Sequence, residues 1–212
     1  MRYVNKLCPI LKTTMQRFKL TILFLTIVTL KSFGQDSTFI EKSGIYTGLS
    51  FGTWFPDHKK NVLKNPLLFG FMVDFKGEKN AFGFTFDLVG GFKTQEYKIK
   101  FGDSVLTRND FFGAHLTLDY AREFWNMDRF VFEGICGVGY GRLSYYNPDK
   151  DTDIGKSSIV LNPGLSLRYL FGKKSFLLLK VQYCLANYDL KDNISTDLRS
   201  NYLTTKLIFG NI

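Results

Sequence analysis

The chain has 212 residues, 45% of them hydrophobic and 17% aromatic, with Phe the dominant aromatic at 22 copies. This length fits one domain. The formal charge of +9 is concentrated in the first 34 residues, which hold Arg2, Lys6, Lys12, Arg17, Lys19 and Lys31 and no acid; 22 basic side chains then face 19 acidic ones in the remainder. That near balance excludes the basic footprint of a nucleic-acid binder.

Residues 1–34 read as a secretory signal peptide, to be removed. Leu20 to Leu30 is apolar and is preceded by Arg17 and Lys19. Ser32-Phe33-Gly34 sets small residues where a signal peptidase needs them, so cleavage is expected between Gly34 and Gln35. The apolar run is about 11 residues, and a spanning helix needs roughly 20. Translation could start at Met1 or at Met15. Residues 35–42 are expected to form a short N-terminal segment, and 43–212 the folded domain.

From residue 43 the recurring signal is alternation with period two, which marks strands. Eight runs show it, taken here in chain order. Run one sets Ile45, Thr47, Leu49, Phe51, Thr53 and Phe55 against Tyr46, Gly48, Ser50, Gly52 and Trp54. Run two sets Leu67, Phe69, Phe71, Val73 and Phe75 against Gly70, Met72, Asp74 and Lys76. Run three sets Phe82, Phe84, Phe86 and Leu88 against Gly83, Thr85 and Asp87, and run four Phe112, Leu116, Leu118 and Tyr120 against Gly113, His115, Thr117 and Asp119. Run five sets Phe130, Phe132, Cys136, Val138 and Tyr140 against Glu133, Gly137, Gly139 and Gly141. Run six sets Ile159, Leu161, Leu165, Leu167 and Tyr169 against Asn162, Gly164, Ser166 and Arg168. Run seven sets Leu177, Leu179, Val181, Tyr183 and Leu185 against Lys180, Gln182 and Cys184, and run eight Leu203, Leu207 and Phe209 against Tyr202, Thr204 and Lys206.

The connections alternate in length. Residues 76–80, 124–129 and 171–175 are short; 56–66, 94–109, 145–157 and 187–200 are longer and polar. Aromatic residues bracket the short turns: Phe75, Phe82, Phe124, Trp125, Phe130, Tyr169, Phe171, Phe176 and Phe209. A second group, Trp54, Tyr97, Tyr145, Tyr146 and Tyr188, flanks the long connections, which predicts two aromatic girdles. The polar face is rich in Gly, Ser and Thr, as a narrow barrel interior requires. Together these features predict an all-β fold, an eight-stranded antiparallel up-and-down transmembrane β-barrel with its apolar face in lipid. Ten strands would require dividing the connection near Gly102-Asp103, where Tyr97–Phe101 and Val105–Arg108 could instead form a hairpin. A soluble, lipocalin-like barrel would turn the Phe-rich face inward.

These residues resemble the small OmpA-like outer-membrane β-barrel domain family over 43–212. The last run ends Lys206-Leu207-Ile208-Phe209, similar to the C-terminal aromatic signal of that family, although Gly210-Asn211-Ile212 follows here. The resemblance implies a bacterial outer-membrane location with both termini periplasmic. It also implies outer-membrane lipids and lipopolysaccharide as surroundings, and the barrel-assembly machinery as a partner in biogenesis.

Few residues suggest chemistry. On the predicted inner face, Asp74, Asp87, Asp119 and Glu133 fall on runs two to five, and Arg168, Lys180 and Lys206 on runs six to eight, all toward the short-turn half. Closing the sheet sets the two signs opposite one another, which predicts a buried ion-pair cluster that plugs the lumen; a proton or ion path is the alternative. His115 shares that face four residues from Asp119 and is expected as a structural lumen residue with the charge cluster; the pair is also the one hint of a lipid-A-modifying enzyme, with Thr117 a poor substitute for a nucleophilic Ser. His58, Lys59 and Lys60 are expected in a loop where they could meet lipopolysaccharide phosphates. Asp149, Asp151 and Asp153 begin like a calcium loop, but Gly155 comes one place late and Val160 stands where Glu is needed. Gly137, Gly139 and Gly141 continue an inner face, with no helix after them to hold a phosphate. Cys136 and Cys184 are predicted on opposite faces and unbridged. No catalytic set, metal or cofactor is expected. The functional expectation is a structural or surface-interaction barrel without a large pore, touching other envelope proteins through its long connections. Alternatives are a narrow solute channel, and an assembly or secretion accessory similar to the PorT-like barrels.

Overall fold

The computed structural model describes residues 43–57, 65–91, 96–101, 104–147, 152–171, 174–188 and 201–212. The predicted signal peptide, the segment 35–42, His58, Lys59, Lys60, Asp149 and Asp151 lie outside the described residues. Eleven strands are assigned: β1 (Gly44–Pro56), β2 (Leu67–Lys76), β3 (Asn80–Gly91), β4 (Tyr97–Phe101), β5 (Ser104–Arg108), β6 (Phe111–Met127), β7 (Phe130–Asn147), β8 (Thr152–Leu161), β9 (Gly164–Phe171), β10 (Ser175–Ala186) and β11 (Tyr202–Asn211).

Each wall strand pairs antiparallel with its neighbours, and β11 pairs with both β10 and β1, so the sheet closes. Closure leaves no edge. β8 and β9 act as one stave. Both lie between β7 and β10, and the pairings Val138↔Leu161 and Ile135↔Gly164 keep one register across the two residues that separate them. The break falls at Pro163, which has no N–H to donate into the ladder. The ring therefore has eight staves. β4 and β5 pair only with each other among the described residues, as a hairpin within the β3–β6 connection. This settles eight wall strands against ten.

Alternation decides the two faces. Along β2, outward Leu67 and Phe75 are 65% and 54% exposed, and inward Met72 is fully buried. Ile159, Leu118 and Phe82, all outward, are 73%, 63% and 62% exposed. The Phe-rich face is thus the outside, opposite to a lipocalin-like interior. Rings pair across strands on this surface, as in Phe51–Phe69 at 5.0 Å and Phe130–Tyr169 at 4.9 Å between centroids. At the short-turn end, Phe82–Tyr120, Trp125–Phe132, Tyr169–Phe171 and Phe171–Phe209 contacts form an aromatic band.

Candidate functional site

The sequence-predicted residues meet in the lumen, whose side chains form three tiers. In the middle tier β2, β3, β6 and β7 project Asp74, Asp87, Asp119 and Glu133 toward Arg168 of β9, Lys180 of β10 and Lys206 of β11; none of the seven exceeds 6% exposure. Arg168 Nη2 donates to Glu133 Oε2 at 3.2 Å and lies 3.9 Å from Asp74 Oδ2. Its guanidinium also rests over the rings of Tyr46 and Phe176, 4.7 and 5.5 Å from their centroids. Lys180 Nζ donates to Asp119 Oδ2 at 2.9 Å, and Lys206 Nζ to Asp87 Oδ2 at 2.5 Å.

A buried charge is tolerated only when its remaining lone pairs are also met. Ser50 donates to Asp87 at 2.9 Å, Thr85 to Asp119 at 3.2 Å, and Ser166 to Glu133 at 2.8 Å. Asn162 and Gln182 reach the second oxygen of Asp119, each at 3.4 Å. Glycines make the room. Asp74 is opposite Gly83, Asp87 opposite Gly70, and Asp119 opposite Gly137. A Cβ at any of these glycines would run into the facing carboxylate. The space left among Asp74, Asp119, Glu133, Ser166 and Lys180 is about 10 Å³, the scale of a single water.

Below this tier, toward the short turns, Tyr46, Met72, Val131, Leu170, Phe176, Leu178 and Ile208 pack into an apolar floor. The seven charges of the middle tier therefore do not begin at the short-turn end. Asp87 lies nearer the Gly91 end of β3. One further ion pair, Lys76 Nζ to Glu123 Oε2 at 3.4 Å, was not anticipated. Lys76 was legible as inward, but Glu123 lies one residue past Arg122, the partner of Asn80 at the start of β3, and had no predicted neighbour.

Above the ions, toward the long connections, is an aromatic tier. Trp54 stacks on His115 at 5.5 Å and on Phe111 at 6.1 Å, and Tyr202 meets it at 4.4 Å. The Tyr188 hydroxyl is 2.5 Å from His115 Nε2. This corrects the expected outer girdle: Trp54 and Tyr188, each 1% exposed, face the lumen. Trp54 has the parity of Tyr46 and Ser50 on β1, and strand alternation fixes its direction regardless of its height on the wall. The side chains of Tyr97, Tyr145 and Tyr146 lie outside the described ones. His115 belongs to this aromatic tier and not to the ion pairs.

Asp119 and His115 are engaged by separate partners. Asp119 is engaged by Lys180, Thr85, Asn162 and Gln182, while the contacts of His115 are to Tyr188 and the stacked rings. Gly137, Gly139 and Gly141 admit the β6 side chains Asp119, Thr117 and His115. Cys136 is exposed on the wall, Cys184 is buried inside, and both are free thiols. Among the described residues no three His, Cys, Asp or Glu side chains are grouped to hold a metal. Asp153 is paired with Tyr146 in the β7–β8 ladder.

No protein-family model and no curated protein matches the sequence. Among solved structures the chain is similar to neisserial surface protein A, with a TM-score of 0.53 at 11% identity over 81% of this chain and 97% of that one. It is also similar to the attachment invasion locus protein of Yersinia pestis (TM-score 0.47, 15% identity, 80% of this chain and 96% of that one). Escherichia coli outer membrane protein W gives 0.44 and 14%, over 82% and 99%. The first likeness establishes the fold, that of a small outer-membrane β-barrel.

Proposed function

We propose that this chain is an integral protein of the bacterial outer membrane, without an open pore and without enzymatic activity, whose long connections form an interaction surface. Both termini belong to the periplasmic side. Three observations support the location. The wall exposes large apolar or aromatic side chains on every stave, and each such side chain left in water forgoes about 1.5–3 kcal/mol. On β1 the outward residues run from Ile45 to Phe55, about 33 Å along the strand. At a tilt of about 40° that is about 25 Å along the axis, the height of a membrane barrel's apolar band. The aromatic band at the short turns fits one membrane–water interface.

The observation that carries the absence of a pore is the lumen filling. The apolar floor, the ion pairs and the aromatic tier follow one another along the axis, and an eight-stranded interior is only wide enough for such side chains. Function then falls to the connections. Outer-membrane lipids and lipopolysaccharide surround the wall, the barrel-assembly machinery inserts it, and envelope partners meet its loops. The His115–Tyr188 contact does not favour a lipid-modifying enzyme, since His115 is 7% exposed beneath stacked rings. Planar-bilayer recording tests the reading: the purified barrel gives no steady conductance, and a reproducible conducting step would overturn it.

A further inference from the structure

A large open space in the described wall lies outside the lumen. A groove of about 490 Å³ runs over the outer surface between Phe82, Leu118 and Tyr120 on one bank and Leu161 on the other, with Cys136 and Val138 beneath. That volume is in the range of small-ligand sites, about 300–1,000 Å³. Its origin is local. The outward positions of β7 read Phe132, Gly134, Cys136, Val138, so two small residues follow one another on its outward face. A Cβ added at Gly134 would meet nothing within 4 Å.

The bank along β6 is graded. Leu118 is opposite Val138, Tyr120 opposite Cys136, and Arg122 opposite Gly134. Toward the short-turn end the groove passes from aliphatic to a tyrosine whose hydroxyl donates to Asn80 at 2.8 Å, and the next outward residue of β6, just beyond the groove's lining, is an exposed arginine. A phospholipid presents the same order: hydrocarbon, ester region, phosphate. Tyrosine suits the interface and Arg the phosphate.

We propose that this groove, with its continuation past Gly134 on β7, is a binding site for one phospholipid of the bilayer, its acyl chain along Val138 and Cys136 and its phosphate at Arg122. The inference rests on the membrane reading above, because only lipid covers this face there. It goes further, assigning a discrete lipid to one place on the wall. Small floor residues let a chain lie deeper than elsewhere, and Arg122 fixes its end.

The test is native mass spectrometry of the full barrel released from nanodiscs of phosphatidylethanolamine and phosphatidylglycerol. The wild type is expected to retain one phospholipid that Cys136→Phe, and Gly134→Phe with Cys136→Phe, lose. Leu207→Phe, of similar bulk elsewhere on the wall, keeps it, and Arg122→Gln lowers its occupancy. Equal retention by the groove-filled variants overturns the site, as does equal loss in Leu207→Phe. Heat-modifiable gel migration verifies that each variant is folded, and Cys136→Phe alone serves where the double variant is not. Failure of the wild type to enter nanodiscs would instead overturn the membrane reading itself.

Discussion

Arg168 shows what a single inward residue does in this lumen. Fully buried, it joins Glu133 and Asp74 and lies over Tyr46 and Phe176, so it ties the ionic tier to the apolar floor. Removing one partner from such a cluster leaves buried charge uncompensated, at about 3–5 kcal/mol. Arg168→Ala should therefore lower the temperature at which the compact, unheated gel band converts to the unfolded one; an unchanged temperature would show that the cluster does not stabilise the barrel. The opposed signs were legible because charges on an inner strand face are few and segregated along the chain. The direction of Trp54 was legible too, from its parity, but its aromatic bulk suggested an interfacial position instead. The protein has two tryptophans. Trp125, 49% exposed, is in the short-turn band, and Trp54 is in the lumen. In vesicles, phospholipids brominated near the glycerol should quench the emission of Trp54→Phe strongly and that of Trp125→Phe weakly. Equal quenching would place Trp54 on the wall after all.

At the scale of elements, the β6–β7 hairpin departs most from the period-two expectation. Its strands are 17 and 18 residues long, the longest in the wall. The register shifts between Glu123↔Glu133 and Trp125↔Phe132, so Phe124 is the extra residue of a bulge. The bulge lets Phe124 and Trp125 both meet Phe132 on the outside, at 6.4 and 4.8 Å. Alternation alone cannot reveal an inserted residue, because both readings of its phase are apolar here. The two-residue turn that follows holds Asp128 at φ 51°, a left-handed conformation that Asp tolerates and β-branched residues do not. Asp128→Val should cost about 1–2 kcal/mol, and Asp128→Gly should be neutral or stabilising, read as shifts in urea midpoint on folding into lipid vesicles. The reverse ranking would contradict the turn geometry. β10 illustrates a second limit. Phe176-Leu177-Leu178-Leu179 is apolar at both parities, so the inward share, Phe176 and Leu178, was not recognisable as the start of a floor. Run six, by contrast, read through Pro163 without interruption, and the β8–β9 register does the same.

Over the whole molecule, the architecture was legible because one rule applies to every stave. Strand alternation sorts each residue to one of two faces, and connection length sorts the two ends. The lumen was only partly legible, since the contacts within it join residues on strands distant in sequence, as Trp54 with His115 and Tyr202, or Lys180 with Asp119. What the loops touch is not encoded in any periodicity. A wall this rich in exposed Phe and Leu belongs where lipid surrounds it. Fractionation of a cell envelope that contains the protein, read by gel migration with and without heating, tests this most directly. The protein should appear in the outer-membrane fraction, with its unheated band running ahead of the heated one. Recovery in the soluble periplasmic fraction, with the same migration either way, would contradict it.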